Sequence, residues 1–288
     1  MIIGDQREAV IANIADAAEN GNFYNKVELH DPVLTPEQKT ALIQGYLTKR
    51  KSASYRCKSF LARRMANGAT RLLNKNTEIV GLEKAAAVTG GAILTSNHFS
   101  PVDNTVVRFL TQKLGKRRIN IISQESNFAM TGMLGFLMNY ADTIPLSEEK
   151  HYMLRQLPEI LKELMENKEF VLIYPEQEMW FIYRKPRPPK RGAYHFAAEL
   201  RVPVISCFVE MQDEPDMEAD HFHRVRYVMH ILDVLYPDPN KTIRENSIML
   251  CQTDYALKKA AYERIYGKPL DYEFQPGDIA GWSGEMAQ

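Results

Sequence analysis

The feature that most constrains the fold is a change of rhythm after Asn76, where short apolar runs begin to alternate with helical segments. Short apolar runs that alternate with amphipathic helices are typical of an α/β sheet with crossover connections. The predicted strands cover Glu78–Val80, Ala92–Ser96, Ile119–Ser123, Thr143–Pro145, Phe170–Tyr174, Val204–Val209 and Tyr227–Val234. The predicted helices lie near Pro101–Leu114, Met130–Asn139, Met153–Asn167, Ala193–Leu200 and Ile243–Tyr266. The sequence therefore predicts an α/β fold with a mixed, mostly parallel central sheet that is flanked by helices.

The residues before this point have helical character instead. Thr35 begins a predicted helix as its N-cap, and Gln38 closes a capping box. A second helix is predicted from Tyr55 to Leu73. In the later part, Pro158 lies inside a predicted helix and marks either a kink or a later start. We divide the chain into a partly basic, amphipathic helical segment, residues 1–76, and an α/β domain, residues 77–288, whose C-terminal strand and helix fall within residues 224–266.

The total composition excludes some classes of function. The 36 Lys and Arg residues equal the 36 Asp and Glu residues, so a global basic field that holds nucleic acid is not expected. No apolar stretch reaches the roughly 20 residues of a membrane span, and the N-terminal residues lack the pattern of a secretory signal. The three scattered cysteines predict neither a disulfide framework nor a metal site, and they favour a reducing, cytoplasmic compartment.

The charges are balanced in total but separated along the chain. Nine basic residues and no acidic residue lie between Lys49 and Lys75, whereas the residues from Asp213 onward contain 14 acidic and eight basic ones. The helix predicted in the basic stretch mixes these cations with apolar side chains. Such a helix either packs its apolar stripe on the domain or faces an anionic surface.

The most informative segment joins the second predicted strand to the next helix. The strand Ala92–Ser96 runs into Asn97 and His98, and Ser100 has the pattern of an N-cap. Because ligands bind outside the carboxyl ends of strands in open α/β sheets, His98 is a candidate site residue. Asp103 is close enough to hold one imidazole nitrogen and leave the other free as a base. A capped helix beside a purely structural histidine fits this segment equally well.

The run from Asn97 to Asp103, NHFSPVD, resembles the NHxSxxD motif of the glycerolipid acyltransferases, the family of the 1-acylglycerol-3-phosphate acyltransferases. Four further motifs occur in the order that this family has. They are Val80-Gly81-Leu82-Glu83 upstream, and Tyr174-Pro175-Glu176, Lys190-Arg191-Gly192-Ala193 and Val202-Pro203-Val204-Ile205 downstream. The ordered set spans a little under half of the chain, and it is more specific than a histidine and an aspartate five residues apart.

This resemblance implies an enzyme that moves a fatty acyl group from an acyl thioester, either acyl-CoA or acyl-carrier protein, to the hydroxyl of a lysophospholipid such as 1-acylglycerol-3-phosphate. It implies that His98 is the general base, that Asp103 orients it, and that no cofactor is needed. Glu176 is expected to organise the acceptor site. The substrate-binding residues are expected to include Asn97, Ser100 and Gln177. Backbone N–H groups near Gln177 or at the start of the following helix are candidate oxyanion donors.

The chain departs from the family at positions where arginine is expected. Gln177-Glu178-Met179 replaces Gly-Thr-Arg, and the family's second motif aligns with Asp142 at its glycine and Glu148 at its arginine. Cations that can replace these arginines at a phosphate lie in the next loop: Arg184, Lys185, Arg187, Lys190 and Arg191. A solvated loop explains this cluster equally well. The alternatives are therefore an acceptor without a phosphate, an amine acceptor, or an inactive peripheral lipid-binding protein.

The acyltransferase resemblance favours the membrane-facing interpretation of the basic helix. The residues expected to face the membrane are Arg56, Lys58, Phe60, Arg63 and Arg64. The expected partners are a lysophospholipid or related lipid acceptor, an acyl donor and an anionic membrane, without nucleic acid or metal. The expected location is cytoplasmic and peripheral, at the inner face of the membrane.

Overall fold

The computed structural model describes residues 6–29, 32–116 and 118–284, and within them the chain forms one seven-stranded sheet. The strands are β1 (Glu78–Val80), β2 (Ala92–Thr95), β3 (Ile119–Gln124), β4 (Thr143–Leu146), β5 (Phe170–Leu172), β6 (Val204–Ala219) and β7 (Phe222–Leu235). The α-helices are α1 (Arg7–Glu19), α2 (Pro36–Lys49), α3 (Ala53–Leu73), α4 (Leu82–Ala86), α5 (Asn104–Lys113), α6 (Gly132–Tyr140), α7 (Leu157–Glu166), α8 (Gly192–Leu200) and α9 (Ile243–Tyr266). These elements confirm the predicted α/β class, with a helical segment ahead of the sheet.

The strands follow the order β1-β7-β6-β2-β5-β3-β4 across the sheet. Neighbouring strands are parallel except for β6 and β7, which form an antiparallel hairpin. Every residue of β2 and β5 is buried. The residues that follow β2 therefore reach the carboxyl edge of the sheet near its middle, where open α/β sheets bind their ligands.

Apolar side chains on the two faces of the sheet form separate cores. Ala92 and Leu94 lie in the core that includes α1, α5 and the buried segment Trp180–Tyr183. Ile93 lies in the other core, with residues of α2, α7, α8 and α9. This alternation follows the two-residue period of a strand, and burial on both faces explains why the strand is a continuous apolar run.

Capping side chains set the starts of two N-terminal helices. At the start of α2 the Thr35 hydroxyl accepts a hydrogen bond from Gln38 N–H at 3.3 Å, and the Gln38 side chain accepts one from Thr35 N–H at 2.9 Å, as predicted. At the start of α3 the Ser52 hydroxyl accepts from Tyr55 N–H at 3.1 Å. α3 packs against α5 and α6. Along the described ranges, no helix combines the length and the apolar character that a membrane crossing requires.

The start of α5 differs from the prediction. The helix begins at Asn104, and Asp103 rather than Ser100 holds the N-cap position. The Ser100 hydroxyl instead accepts a hydrogen bond from Val102 N–H at 3.3 Å, inside the turn that precedes the helix. The predicted N-cap role of Ser100 is therefore wrong, because the chain makes a tight turn around Asp103 before it becomes helical.

Three further elements, α7, β6 and β7, also differ clearly from the predicted bounds. A π-helical turn covers Tyr152–Gln156 and continues directly into α7, whose second residue is Pro158, so the irregular turn lies immediately before the residue that lacks a backbone N–H. The strands β6 and β7 extend as a hairpin well beyond the predicted apolar runs. The extra residues of β6 are mostly exposed, and several are acidic, so they carry no apolar pattern from which a strand is predicted.

Candidate active site

His98 lies three residues beyond β2, at the carboxyl edge of the sheet. Its Nδ1 is 2.7 Å from Oδ2 of Asp103. The His98 side chain is 20% exposed, whereas that of Asp103 is 2% exposed. Because a carboxylate only accepts hydrogen bonds, the neutral imidazole carries its proton on Nδ1, and Nε2 keeps a lone pair. This arrangement is that of a general base held by an orienting carboxylate.

The Asp103 carboxylate is held by further donors around it. Oδ2 also accepts from Phe99 N–H at 2.9 Å and from Ser100 N–H at 3.2 Å. Oδ1 accepts from the Tyr174 hydroxyl at 2.6 Å. A buried carboxylate with this many donors keeps a fixed orientation, so it fixes the imidazole in turn.

Tyr174 is a site residue that the sequence analysis did not single out. Its ring stacks on the His98 ring, with centroids 4.0 Å apart and planes inclined by 10°. Burial, and then the Asp103 charge, hold the pKa of Tyr174 well above its usual value, so the hydroxyl stays protonated and donates. The only sequence sign of this role is an aromatic residue immediately before Pro175-Glu176.

Glu176 lies against both the His98 segment and the loop of residues 184–191, which we call the proline-rich loop. Its Oε2 accepts from His98 N–H at 3.3 Å, and its Oε1 accepts from Arg187 N–H at 3.0 Å. The Arg187 guanidinium lies 3.1 Å from Oε2 and donates to the carbonyl oxygens of Phe23, at 2.8 Å, and Glu178. Burial lowers the pKa of Arg187, and the Glu176 charge opposes this shift. The structure thus brings His98, Asp103 and Glu176 together beside this loop.

Asn97 and Ser100 lie beside the dyad but are turned toward the protein. The Asn97 amide donates to Val209 C=O at 3.0 Å, and its carbonyl oxygen accepts from Val209 N–H at 2.8 Å. Both residues are buried. Asn97 therefore ties the turn after β2 to β6, and this placement differs from the predicted substrate contact because the amide is already satisfied by backbone.

Gln177 is exposed and has a left-handed backbone, with φ of 67°. Its N–H donates to Tyr174 C=O at 3.1 Å. At the other predicted oxyanion position, the N–H groups of Phe99 and Ser100 donate to Asp103. These N–H groups already have partners within the protein, so none of them is free to donate to an oxyanion.

Two cations of the proline-rich loop have acidic partners away from His98. Lys185 is buried, and its Nζ lies 2.7 Å from Asp278 and 3.1 Å from Asp271. Arg184 pairs with Asp213 and donates to Gly277 C=O at 2.7 Å. This placement differs from the predicted substrate contacts of Arg184 and Lys185, because both cations hold the C-terminal segment onto the body of the protein.

The last two cations of the loop remain exposed beside the site. Lys190 N–H donates to Pro175 C=O at 2.7 Å, so this part of the loop lies directly against the Pro175-Glu176 segment. The Lys190 ammonium lies 3.6 Å from the centroid of the Tyr24 ring. Arg191 is exposed and precedes α8. Of the predicted substrate-binding cations, these two are the ones accessible to a ligand.

The acidic residues at the family's glycine and arginine positions have their own cationic partners. Asp142 accepts from Arg63 Nε at 2.6 Å and from Arg63 Nη2 at 2.7 Å. Glu148 is exposed and lies 3.5 Å from Lys39 of α2. Arg63 is therefore half-buried against the sheet domain, in contrast to its predicted membrane-facing position.

The other predicted membrane-facing residues of α3 are exposed. They are Arg56, Lys58, Phe60 and Arg64. Phe60 is 59% exposed, and its neighbour Leu61 is 54% exposed. α3 thus presents cations and large apolar side chains together. Within the ranges that the structure describes, no cluster of three histidine, cysteine or carboxylate side chains has the placement of a metal site.

Comparison with known proteins gives one family. Residues 76–210 match the family model named Acyltransferase, and this range contains all five sequence motifs described above. No curated protein matches the chain. Among solved structures, the 1-acyl-sn-glycerophosphate (LPA) acyltransferase PlsC from Thermotoga maritima is similar at 17% identity and a TM-score of 0.49, over 81% of this chain and 97% of that one.

Proposed function

We propose, from the premise that residues 76–210 form an acyltransferase-family domain, that this enzyme transfers a fatty acyl group from an acyl thioester to the hydroxyl of a lysophospholipid such as 1-acylglycerol-3-phosphate. The observation that carries the proposal is the His98–Asp103 pair, with Nδ1 held at 2.7 Å and Nε2 left with a lone pair at the carboxyl edge of the sheet. The donor is acyl-CoA or acyl-carrier protein.

The proposed reaction has two steps. His98 Nε2 takes the proton of the acceptor hydroxyl as its oxygen attacks the thioester carbonyl carbon. The tetrahedral intermediate then collapses, the C–S bond breaks, and the imidazolium returns its proton to the leaving thiolate. The products are the acylated lipid and a free thiol. The acceptor supplies the nucleophile, so the protein forms no acyl-enzyme ester in this scheme.

The neighbours of the base prepare it for this step. Asp103 fixes the tautomer and stabilises the imidazolium, which exists only after proton transfer. Tyr174 covers one face of the imidazole ring. Glu176 and Arg187 hold the backbone of His98 against the proline-rich loop, and Lys190 and Arg191 are the accessible cations that support binding of an acidic group there.

An acceptor without a phosphate is a second candidate. The specific observation in its favour is that Glu148 and Met179 occupy the two expected arginine positions, while Arg184, Lys185 and Arg187 are already bonded within the protein. A neutral lipid alcohol or a lipid amine carries no phosphate charge that these cations would have to compensate.

The membrane contact in this proposal is made by α3. Arg56, Lys58 and Arg64 would lie at the anionic head groups, and each such cation contributes on the order of 1 kcal/mol near the membrane surface. Phe60 would insert its exposed ring between head groups. The enzyme would act at the inner face of the membrane, where its lipid acceptors are found.

A panel of acceptors tests the proposal. Purified protein is incubated with labelled acyl-CoA or acyl-carrier protein and with lysophosphatidic acid, a monoacylglycerol or a lipid amine, and the products are identified by mass spectrometry. We expect acylated product with lysophosphatidic acid. Transfer only to the acceptors without phosphate would support the second candidate instead, and transfer to none of them from either donor would contradict both.

A further inference from the structure

A cavity of about 350 Å³ lies between α3 and the C-terminal end of α5. Its lining includes Phe60, Arg63, Arg64, Arg71, Gln112 and Lys116. His98 precedes the N-terminal end of α5, and the ten residues of this helix span about 15 Å. The cavity is therefore separate from the candidate active site, at the opposite end of the same helix.

The lining of this cavity contains several cations and no carboxylate among its described residues. Arg63 pairs with Asp142 outside the lining, but among the described residues no carboxylate lies within ion-pair distance of Arg64, Arg71 or Lys116. Cations that converge without a counter-charge repel one another, so the cavity favours an anion.

The contacts of Arg64 and Arg71 leave guanidinium donors available. Arg71 Nε is 3.4 Å from the Gln112 side-chain oxygen. Arg64 lies 5.7 Å from the centroid of the Phe60 ring. Lys116 Nζ donates to Gly90 C=O at 3.2 Å and to Lys168 C=O at 3.3 Å, and burial together with the Lys168 charge lowers its pKa. A bound anion would favour the charged form of Lys116, and the two guanidinium groups match the oxygens of a phosphate.

The surroundings of the cavity indicate which phosphate it binds. Phe60 lines it, and the adjacent Leu61 is also more than half exposed on α3. A soluble phosphate gains nothing from such side chains, whereas a phospholipid places its phosphate beside apolar chains at the depth that Phe and Leu reach. The positive charge and the apolar neighbours together are therefore complementary to an anionic phospholipid.

We propose that this cavity binds the phosphate of an anionic membrane phospholipid and holds α3 against the bilayer at a defined depth. The proposal specifies the membrane contact of the proposed function and rests on that contact, not on the chemistry of acyl transfer. The bound lipid is neither acceptor nor product, since the site lies at the far end of α5 from His98.

Vesicle binding tests this proposal without any acyl donor. Co-sedimentation is measured with vesicles of phosphatidylcholine that contain about one third phosphatidylglycerol, for the wild type and for the double variant Arg64→Gln/Arg71→Gln. We expect the variant to bind these vesicles about tenfold more weakly or worse. Both side chains are exposed, so the variant should unfold at the wild-type temperature.

A charge-matched control separates a site from a general basic field. Lys49→Gln/Lys51→Gln removes the same charge from exposed residues outside the cavity, and we expect it to weaken binding by less than about threefold. Equal losses in the two double variants would overturn the proposal. So would wild-type binding that is as strong to pure phosphatidylcholine, or that inorganic phosphate abolishes at constant ionic strength, because the latter result indicates a site for free anions.

Discussion

Asp103 accepts hydrogen bonds from four described groups: the His98 imidazole, two backbone N–H groups and the Tyr174 hydroxyl. The backbone donors come from the turn that carries His98, but Tyr174 lies two residues beyond β5, the strand that pairs with β2. The orientation of the dyad is therefore set jointly by a local turn and by a contact between distant residues. A positioning role for Tyr174 follows, since it touches both members of the dyad.

Removal of the Tyr174 hydroxyl tests this role. Tyr174→Phe keeps the stacked ring and removes one hydrogen bond to a charged acceptor, a contact of about 1.5–3 kcal/mol. We expect kcat to fall by roughly tenfold or more with KM nearly unchanged, because the lost bond orients the base rather than binding substrate. Steady-state kinetics with the preferred acceptor measures both constants.

Tyr183→Phe is the matched control for this measurement. The Tyr183 hydroxyl is buried and has no hydrogen-bond partner among the described residues, so its loss should leave kcat unchanged. A Tyr174→Phe enzyme with wild-type kcat, or one that changes only KM, would contradict the positioning role.

For individual residues, the sequence predicts contacts between residues that are close in sequence, but not contacts between residues that are far apart in sequence. His98 and Asp103 lie five residues apart, and their contact follows from the motif. The pairing of Lys185 with Asp278, and the clamp of Asn97 on Val209, join residues far apart in sequence. Neither periodicity nor spacing in the sequence indicates such pairs. The structural partners of Lys185 and Asn97 therefore could not be predicted, and both residues were expected to bind substrate instead.

The element that carries the site is β2, and two helices hold its last residue. Thr95 Oγ1 donates to the buried Asp254 of α9 at 2.9 Å. The same carboxylate oxygen accepts from Lys258 Nζ at 2.8 Å and from the Tyr194 hydroxyl of α8. A buried charge pair thus lies directly beneath the strand that leads into His98.

This network yields a stability prediction. Asp254→Ala leaves the Lys258 ammonium buried without its carboxylate, and loss of one partner of such a pair costs about 3–5 kcal/mol. We expect the free energy of unfolding, measured by urea denaturation, to fall by this amount. The double variant Asp254→Ala/Lys258→Met removes both charges and should regain a large part of the loss. A single-variant loss below about 1 kcal/mol would contradict the role of the pair.

The elements themselves follow largely from the sequence. Apart from the short helix α4, which the sequence does not predict, the order of strands and helices after Asn76 and the bounds of α9 are as predicted, because apolar periodicity and capping residues are local signals. The long hairpin of β6 and β7 was underestimated, since its outer half is exposed and polar. Strand order is set by packing between distant segments, and it is known only from the structure.

For the molecule as a whole, the balanced charge total conceals a basic helix and a C-terminal part that is rich in acidic residues. The basic stretch forms the exposed side of α3, while acidic residues hold the C-terminal segment to the proline-rich loop. The division at residue 76 remains a prediction, because α3 packs directly on α5 and α6 of the sheet region. The family match over residues 76–210 begins near that division.

Buried tyrosines limit the stability of the fold at alkaline pH. Burial raises the pKa of several phenols above the usual value of about 10; they include Tyr46, Tyr152, Tyr174, Tyr183, Tyr194 and Tyr227. Since the folded-state pKa values exceed the unfolded ones, this contribution to stability is fully present below about pH 10 and is lost as pH rises above it.

Denaturation at several pH values checks this limit. We expect the urea midpoint to fall steadily above about pH 10, and the ultraviolet absorbance of most phenolates to appear only as the protein unfolds. Full tyrosine ionisation near pH 10 in a protein that retains its circular dichroism would contradict the burial of these rings.

The central claim is that His98 is the base of an acyl transfer reaction, and one measurement tests it most directly. The rate of transfer from labelled acyl donor to the preferred acceptor is compared between the wild type and His98→Ala, with equal unfolding temperatures as the check on folding. General base catalysis contributes about 10²–10⁴-fold, so the variant should lose at least two orders of magnitude in kcat. Transfer at the wild-type rate by a folded His98→Ala protein would contradict the account.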